Sequence, residues 1–527
     1  MSNFSFSLRE DYWDNFQLQD DDVEFLYNHL LETETPLTSK ELVVALVNER
    51  VKREKLAVEQ RRTALGEIYL PRGIYQLESR LIFPAIKWES GLVIGSRPGK
   101  NPDLGDFQVI QVDLDNGERR EFAANLPTHI LNEPLKFDEA DPSLNVRSVI
   151  EDYGDVLIEY LEEDLGTRSD FVRIAGNWFP KALLLDVNVG HLNLVEAVLD
   201  VAGGGPLPTS SLIEQIGLSS NVNSKLLEFS FDLAMQNDPR FDEVGPAGKV
   251  LWFLHRLEPA EVLEPPVSLR YPGFDYDRSV LTDEMFNLER DLDDELSPLS
   301  SKSIQPEEVE VRLIYPHWRA GTLPLSTRVR HLFPTAYEAP RIRFILVDGA
   351  TGENFPGWVV REKRYVFGLK NWYETHGVIP GSLLRVRRSK KPGEVILKVD
   401  SRRPSREWIR TVLVGSDGGV VFAMLKQYVS TSFDERMAIA IPDVEALDQT
   451  WGRSPKDTTS LEKNITTMVR ELSKLNPQGH VHASELYAAV NVVRRCPPAP
   501  ILSLLASHPG FSHVGDLHFR FAEQDNA

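Results

Sequence analysis

The chain has 527 residues, which is more than one hydrophobic core organises, and this length predicts about three to five domains. Its 42% hydrophobic and 26% charged residues are typical of a globular protein and exclude a collagen-like or largely disordered chain. The formal net charge is −21, and the single cysteine, Cys496, excludes intrachain disulfides and multi-cysteine metal or iron–sulfur sites and suits a reducing compartment, so we expect a cytoplasmic protein.

The N-terminal region, residues 1–65, carries no targeting signal and predicts two helices. It lacks the basic start and apolar stretch of a signal peptide, and nowhere in the chain do about 18 apolar residues run together, so we expect no membrane partner. An acidic run opens the first helix near residue 20, the segment 35–38 interrupts it, and Ser39 caps a second helix with apolar positions at helical spacing. The two helices indicate part of a helix-turn-helix or winged-helix unit.

The next two regions differ from each other in their predicted secondary structure. Residues 66–135 alternate short β runs with turns rich in Gly, Pro, Asn and Asp, which predicts a small β-barrel. Residues 136–186 contain a helical stretch near 146–165, and we expect them to form a helical connector.

Regions 187–272 and 456–527 share one pattern, which is helix, turn, short helix, third helix and a two-stranded wing. In the first region a GGPLPT turn precedes a short helix opened by Thr209 or Ser210, and DPRFDEVG precedes an aromatic-bearing last strand. In the second region HPGFSHVG takes the place of DPRFDEVG. The recurrence indicates a repeated unit, with three copies if residues 20–65 are counted.

On its GGPLPT turn and DPRFDEVG segment, the region 187–272 resembles a HARE-type winged helix, the module found in the delta subunit of bacterial RNA polymerase and in some chromatin- and restriction-associated proteins. The resemblance implies a winged-helix fold and leaves the ligand open, since winged helices bind DNA or protein. Acidic residues outnumber basic ones in 191–259. We therefore expect this unit to contact protein, either another part of the chain or a partner such as RNA polymerase.

Charge is unevenly distributed along the C-terminal half. Residues 273–306 are acidic, poor in aromatic residues and rich in Ser and Pro near their end, which predicts a linker. Residues 308–410 contain 20 Lys and Arg against 10 Asp and Glu, so this stretch carries +10 and the rest of the chain −31. We expect a basic domain at 307–411 and a β-hairpin extension at 412–455.

Three motifs in the basic domain, LPLS…LFP, LVDGATGENFPGWVV and RYVFGLKNWYETHGVIPGSLLRVRR, follow a recognisable order. On these motifs the domain resembles the pseudobarrel DNA-binding domain of plant auxin-response factors and of the recognition domains of certain restriction endonucleases. The resemblance covers about one fifth of the chain. The segment from Tyr365 to Arg387 matches the family's spacing, with Gly381 at the turn, whereas Ser382 and the pair Gly368 and Leu369 depart from the family's residues.

The pseudobarrel resemblance implies two arms that grip the major groove of double-stranded DNA. The candidate contacts are His317, Trp318 and Arg319 in the first arm and Arg361, Lys363 and Arg364 in the second. Arginine makes bidentate bonds to guanine, whereas lysine and other arginines fix the register on phosphates. Two further basic groups contact DNA or form a solvated edge, and they are Arg385, Arg387, Arg388, Lys390 and Lys391, and Arg402, Arg403 and Arg406.

Patterns for catalysis, cofactors and metals are weak throughout the chain. The GGGP sequence at 203–206 lacks the Gly-Lys-Ser/Thr of a phosphate-binding loop, and the C-terminal histidines have no Cys or acidic partner at ligand spacing. Cys496 is expected to be a buried structural thiol. We therefore assign no catalytic residue, no cofactor and no metal.

The sequence as a whole predicts a multidomain α+β protein in which winged-helix units combine with a small β-barrel and a β-pseudobarrel. It favours a non-catalytic, modular protein that binds double-stranded DNA, as a transcription-related regulator or as the recognition component of a defence system. Two alternatives stay open. One is a protein-interaction scaffold associated with RNA polymerase, and the other is a non-catalytic or split-site subunit of a nuclease complex.

Overall fold

The structure is a computed structural model that describes residues 12–64, 67–86, 89–101, 105–132, 142–218, 222–300, 305–416, 418–451 and 458–521. The chain divides into two compact units. Met1–Leu185 and Val222–Phe229 form the first, and Asp186–Asn221 and Ser230–Ala527 form the second. Helices and β-sheets occur in both, so the predicted mixed α+β class is confirmed.

The first unit contains two sheets. Its elements are α1 (Asp20–Thr33), β1 (Leu37–Thr38), α2 (Ser39–Ala64), β2 (Glu67–Ile68), β3 (Arg80–Phe83), β4 (Glu89–Pro98), β5 (Gln108–Leu114), β6 (Arg119–Ala124), α3 (Val146–Thr167), β7 (Phe171–Ile174) and β8 (Asn177–Pro180). The orders of the strands are β1-β8-β7 in one sheet and β2-β3-β4-β5-β6 in the other.

Local sequence explains where the first helices begin. Three aspartates fill the first turn of α1, where negative charge is stabilised by the helix dipole, and Gln19 and Asp22 form a capping box. Helix α2 begins at Ser39, as predicted. Its apolar positions, among them Leu42 and Leu46, are buried.

The five-stranded sheet β2 to β6 lies in the chain between α2 and α3, in the region where the sequence predicts a small barrel. Its strands curl round a core that includes Tyr69 and Phe83. Beyond β6, the Leu126 N–H donates to the carbonyl of Pro71 at 2.8 Å, and the Tyr69 hydroxyl donates to the carbonyl of Ala123 at 2.5 Å. These bonds tie the segment after β2 to the far edge of the sheet.

The remaining helices are α4 (Val189–Val201), α5 (Thr209–Gln215), α6 (Ser224–Gln236), α7 (Ala260–Leu263), α8 (Asp283–Leu292), α9 (Tyr315–Ala320), α10 (Lys370–Thr375), α11 (Val444–Trp451), α12 (Thr458–Ser473), α13 (Ala483–Val493) and α14 (Pro498–Ser507).

The remaining strands are β9 (Phe241–Glu243), β10 (Trp252–Leu254), β11 (Glu308–Arg312), β12 (Thr322–Pro324), β13 (Arg341–Asp348), β14 (Asn354–Val360), β15 (Tyr365–Phe367), β16 (Leu383–Arg388), β17 (Glu394–Val399), β18 (Ser401–Val414), β19 (Val420–Thr431), β20 (Ile439–Ala440), β21 (Val481–His482), β22 (Phe511–Gly515) and β23 (His518–Phe521).

Three segments share one order of elements, which we call the first, second and third repeats. Each runs helix, first strand, helix, helix and a two-stranded hairpin. The first repeat is α1, β1, α2, α3, β7 and β8, and the third is α12, β21, α13, α14, β22 and β23. The second is α4, α5, α6, β9 and β10, and a single bridge between Leu207 and Trp252 replaces its first strand.

Strand register aligns the three repeats residue by residue. The first strand faces the last strand through the pairs Leu37 with Trp178, Leu207 with Trp252, and Val481 with Phe519. Two residues after the first member of each pair, the next helix begins, at Ser39, Thr209 and Ala483. This common register is independent of the sequence motifs that suggested a repeat.

A buried hydrogen-bond network recurs in the first two repeats. The Trp178 indole N–H donates to Ser39 Oγ at 3.0 Å, and the Ser39 hydroxyl donates to the carboxylate of Glu162 at 2.6 Å. Glu162 lies on α3 and also accepts from Arg173. The indole of a nearly buried tryptophan is thereby satisfied, which removes the cost of an unpaired donor.

The second repeat has the same network, and the third has an apolar counterpart. The Trp252 indole N–H donates to Thr209 Oγ1 at 3.1 Å and to the Asp232 carboxylate at 2.9 Å. In the third repeat Phe519 and Ala483 occupy the positions of the indole and the hydroxyl. Donor and acceptor are therefore both present or both missing.

The basic domain is built on a seven-stranded sheet in the order β11-β16-β17-β13-β14-β15-β12. All neighbouring strands are antiparallel except β13 and β17. Val311 and Leu323, from the two edge strands, share one core with the central strands, so the sheet curls on itself. Strand β17 lies inside the sheet, between β16 and β13.

The turn before β16 explains two residues of the predicted motif. Gly381 has a φ of +92°, and an added Cβ would lie 2.4 Å from Cα of Ala438, so glycine is required. Ser382, where the resembled family has an acidic residue, is fully buried and bonds to Thr431 at 3.1 Å. A carboxylate at this buried position would be costly without a cationic partner.

The second repeat packs on the outside of the seven-stranded sheet. Val244 and Phe253 share an apolar cluster with Trp358, and the Phe253 and Trp358 rings meet edge to face at 5.2 Å. Asp242 pairs with Arg341 at the start of β13. The hairpin of this repeat therefore contacts another part of the chain.

Two predicted domain boundaries are corrected by the structure. The connector expected at 136–186 is not a separate element, because α3, β7 and β8 complete the first repeat. The hairpin expected after residue 411 begins at Ser401, inside the predicted basic domain. Residues 1–11 and 133–141 of the predicted domains lie outside the described residues.

The predicted acidic linker is also corrected. Asp283–Leu292 form α8, where Glu289 is fully buried and pairs with Arg278 at 2.6 Å. Asp294 and Glu295 are buried as well. Glu289, Asp294 and Glu295 are thus internal partners for arginines, not the solvated charges of a linker.

Candidate nucleic-acid interface

The residues of the first predicted arm make contacts inside the protein. Its three residues lie on α9, and His317 is fully buried, with Nε2 at 3.2 Å from the Glu295 carboxylate. The Trp318 indole N–H donates to the carbonyl of Val378 at 2.7 Å. The placement of these residues on an exposed arm is therefore wrong, because burial and internal bonds hold both side chains.

Arg319 completes this arm and is held in the same way. Its guanidinium makes a two-pronged pair with Asp448 on α11, with N to O distances of 2.6 and 3.0 Å. Hydrogen bonding to Asp448 raises the pKa of Arg319 against the opposing effect of burial. A bidentate pair of this kind is the geometry that would otherwise recognise guanine or phosphate, so Arg319 is already occupied.

His317 belongs to a buried cluster that joins the sheet to the third repeat. Arg495 is fully buried and contacts Asp294 at 2.6 Å and Glu295 at 2.7 Å. Burial alone would raise the pKa of Glu295, but Arg495 and His317 hold it below its usual range. Breaking a buried pair costs about 3–5 kcal/mol, so the cluster fixes the basic domain to the third repeat.

The second predicted arm is a turn between β14 and β15. Arg361 donates to the carbonyl of Ala339 at 2.7 Å, and Arg364 donates to the carbonyl of Glu295 at 3.0 Å. Lys363 is exposed, and no hydrogen bond or ion pair engages it within the described part of the chain. Of the two predicted arms, only this turn presents cations to solvent.

The first of the two further basic groups, which runs from Arg385 to Lys391, lies along β16 and its turn to β17. Arg385 pairs with Asp400 at 2.6 Å, Lys391 lies 3.6 Å from Glu394, and Arg388 bonds to a backbone carbonyl. Arg387 and Lys390 are exposed. The hairpin thus keeps part of its positive charge available.

Strand direction brings these turns to one end of the sheet. Because β14 is antiparallel to β13 and β13 is parallel to β17, the end of β14 lies beside the start of β17. The end of β16 lies there too, and so does the end of β12. We call the exposed cations at this end the basic rim, and they are Arg328, Arg330, Lys363, Arg364, Arg388, Lys390 and Lys391.

Two rim residues were missed by the sequence analysis. Arg328 and Arg330 follow β12 in the segment STRVRH. The alternation of cations in that segment was the available signal, but only the strand order shows that it lies beside the other two turns. Arg328 is 46% exposed in an ion pair with Asp293, and Arg330 is exposed without a partner among the described residues.

The rim cations are lightly held. Three of them, Arg330, Lys363 and Lys390, have no ion pair or hydrogen bond in the part of the chain that the structure describes. Arg328 and Lys391 each have one carboxylate partner, Asp293 and Glu394, and the two cationic side chains are 46% and 78% exposed, so solvent screens these pairs on the side of the cation. A polyanion can therefore compete for these side chains. Glu308 and Glu362 are exposed at the same end, so the rim is a mixed surface with an excess of cations.

The described residues contain neither a metal cluster nor a membrane span. Within them, no group of three or more His, Cys, Asp and Glu side chains is placed to hold a metal ion, and no helix has the length and apolarity to cross a bilayer. Cys496 is buried, and burial raises the pKa of its thiol. This places the thiol in the structural environment that the sequence analysis expected.

Comparison with known proteins gives no further assignment. The chain matches no protein-family model, no curated protein and no solved structure.

Proposed function

We propose that this chain is a non-catalytic, modular protein that binds double-stranded DNA through the basic rim. The observation that carries the proposal is that three separate turns of the seven-stranded sheet bring their exposed cations to one end. Phosphates are contacted by exposed Lys and Arg side chains, and such contacts supply most of the non-specific affinity for duplex DNA. The acidic remainder of the chain would repel DNA and so direct it to the rim.

The surrounding modules give this proposal its context. We propose that the three repeats are winged-helix units and that the seven-stranded sheet is a pseudobarrel, in keeping with the motifs of their sequences. The cellular role would be that of a transcription-related regulator or of a recognition component in a defence system, in the cytoplasm. The second repeat, whose hairpin is occupied by the sheet, would act as a protein-contacting unit and not as a DNA reader.

A protein-interaction scaffold is the second candidate, and one observation favours it. The second repeat already packs on another part of the chain through Phe253 and Trp358, so at least one repeat contacts protein. A scaffold that docks on RNA polymerase through apolar contacts would bind with little dependence on salt, whereas DNA binding through phosphates depends steeply on salt. Salt dependence therefore separates the two candidates.

The rim is tested in the full chain, because excision of 307–411 would remove His317 from Glu295 and break the buried joint. We expect the triple variant Arg330→Ala, Lys363→Ala and Lys390→Ala to bind duplex DNA on the order of 100-fold more weakly near 0.1 M salt. The slope of log affinity against log salt becomes shallower by up to about three units. Fluorescence anisotropy with a labelled duplex measures both quantities.

The matched control removes the same charge elsewhere. Lys40, Lys181 and Lys225 are exposed and distant in sequence from the rim, so their triple Ala variant changes net charge equally. We expect its affinity for the duplex to stay within about threefold of the parent and its salt slope to be unchanged. Equal losses in both triples, or no duplex binding by the parent, would refute the rim as a DNA-binding surface.

A further inference from the structure

A long two-stranded ribbon, β18 with β19, leaves the seven-stranded sheet at the end opposite the rim. It follows β17 directly, and its strands pair from Ser401 with Thr431 to Val414 with Val420. Between its ends the ribbon is held by Ile409 and Val429, which pack with Ala438, and near its tip by Val412 and Phe422 in the core of the third repeat. The middle of the ribbon is therefore held in place while one of its faces stays open.

That open face carries two aromatic rings and two cations. Arg406 lies opposite Tyr428, and Trp408 lies opposite Lys426, and residues directly opposite in an antiparallel pair share a face. Trp408 is 61% exposed and Tyr428 is 69% exposed. The Arg406 guanidinium lies 4.8 Å from the centre of the Tyr428 ring, and the Lys426 ammonium lies 5.2 Å from that of Trp408. We call these four residues the ribbon face.

Part of the positive charge of the ribbon is not neutralised, although Arg410 pairs with Glu485 at 2.7 Å. Arg403, Arg406 and Lys426 have no ion pair within the described part of the chain. The one carboxylate of the ribbon strands, Glu407, lies opposite Gln427, on the other face. A partner with negative charge therefore fits the ribbon face.

Protection of a sheet edge does not explain this surface. Strand β20 covers β18 only at Arg410 and Thr411, so most of the ribbon has free edges. Cations alone would discourage unwanted strand pairing, and large exposed aromatic rings work against that purpose because they attract apolar surfaces. The rings need a partner that offers flat apolar faces next to negative charge.

Single-stranded DNA has both features. Each unpaired base offers a π-face that stacks on an aromatic side chain, and each base is flanked by phosphates. Trp408 and Tyr428 are diagonal neighbours, which places their Cβ atoms about 7–8 Å apart, or about twice the 3.4 Å spacing of bases along a strand. In a duplex the base faces are covered by neighbouring pairs, so the rings select unpaired bases.

We propose that the ribbon face binds single-stranded DNA, with Trp408 and Tyr428 stacked on bases and Arg406, Lys426 and Arg403 on the flanking phosphates. The inference rests on the proposed function in one respect, which is that both surfaces act on the same DNA molecule. The rim then holds duplex and the ribbon face holds an unpaired strand. The protein would recognise a place where duplex DNA opens.

The test compares three ligands with the full chain, namely oligo(dT), an abasic strand of the same length and a duplex of the same length. The abasic strand keeps the phosphates and lacks the bases. We expect oligo(dT) to bind at least tenfold more tightly than the abasic strand. The double variant Trp408→Ala and Tyr428→Ala removes that preference, with a loss of roughly tenfold per ring for oligo(dT) and no change for the duplex.

Two variants control for the shape of the ribbon. Trp408→Phe with Tyr428→Phe keeps both rings and retains most of the preference for oligo(dT). Leu413→Ala with Val421→Ala removes exposed apolar side chains from an opposed pair on the other face and leaves the preference unchanged. Thermal unfolding of each variant checks that the ribbon is still folded.

Equal binding of oligo(dT) and the abasic strand would overturn the inference, and so would a preference that survives loss of both rings. Tighter binding of oligo(U) than of oligo(dT) would overturn the choice of DNA. These outcomes are independent of the rim. Loss of duplex binding in the rim variant bears on the proposed function alone, and loss of the oligo(dT) preference in the ribbon variant bears on this inference alone.

Discussion

The basic rim and the ribbon face lie at opposite ends of one sheet and present their cations differently. Rim cations lie on turns, exposed to solvent, and some of them bond to carbonyls or pair with carboxylates. Ribbon cations sit over aromatic rings on a strand pair. A cation on a turn offers charge alone, whereas a cation beside a ring offers charge next to a stacking surface. The same side chains are thus suited to phosphates in one place and to bases with phosphates in the other.

The largest expected effect comes from a DNA that engages both surfaces. For a duplex with a single-stranded tail, we expect the rim triple variant combined with Trp408→Ala and Tyr428→Ala to lose on the order of 10,000-fold in affinity, because the two losses multiply. Anisotropy titrations of the parent, the two partial variants and the combined variant form a double-mutant cycle.

The coupling in that cycle decides whether the two surfaces are distinct. Sites that share no partners add to within about 0.5 kcal/mol, so the combined loss should match the product of the partial losses to within about twofold. A combined loss no larger than one partial loss would mean that rim and ribbon are not two independent sites on one DNA.

A change of pH tests the stability of the fold separately from DNA binding by the rim and the ribbon face. Glu243, on the hairpin of the second repeat, is partly buried, and desolvation raises its pKa to about 8 although it accepts hydrogen bonds from Gly245 and Leu251. Because this folded-state pKa lies above the ordinary value of about 4.3, stability falls as the pH rises between the two. Between pH 7 and pH 8 the fall due to one such group is at most about 1.4 kcal/mol.

Glu243→Gln should therefore reduce the loss of thermal stability between pH 7 and pH 8, because the amide stays neutral and its oxygen still accepts both bonds. Scanning calorimetry at several pH values measures the change, with the exposed Glu284→Gln as control. Glu243 belongs neither to the rim nor to the ribbon face, so affinity should not follow the titration of Glu243 in the folded protein. An unchanged pH dependence in Glu243→Gln would show that this carboxyl does not set it.

The smallest expected effect comes from a change in the first predicted arm, whose residues are not part of the rim. Arg319→Met removes the pair with Asp448, and since the guanidinium is one-third exposed we expect a fall of only about 2–4 °C in melting temperature. Duplex affinity should stay within about twofold of the parent. A fall in affinity as large as that of the rim variant, without a fall in melting temperature, would restore Arg319 as a DNA contact.

Local patterns predicted much of the fold, because the helices and strands of each repeat are fixed by nearby residues. Helix starts at Ser39 and Thr209 and the hairpin starts at Phe241 and Phe511 agree with the motifs. The completion of the first repeat was missed because the sheet β2 to β6 separates α2 from α3 in sequence. No local periodicity reveals that the two ends of such an insertion belong to one unit.

Charge was the harder property to place from sequence. An acidic segment and an arginine are both read as surface when their partners are unknown, yet Asp294 and Arg495, 201 residues apart in the chain, neutralise each other in the core. His317 was likewise predicted to lie on an exposed arm, because its partner Glu295 could not be identified from the sequence. The rim could be predicted only in part, since composition identified its turns while strand direction brought them together.

The paired tryptophan and hydroxyl of the first two repeats also limit how such repeats diverge. A change from Trp252 and Thr209 toward the Phe519 and Ala483 type must pass through an intermediate in which a buried donor or acceptor has lost a partner, at a cost of about 1–3 kcal/mol. The two types are therefore separated by a fitness valley. Descendants of either type should keep both members of the pair, so the pair serves as a heritable marker of the type from which a segment derives.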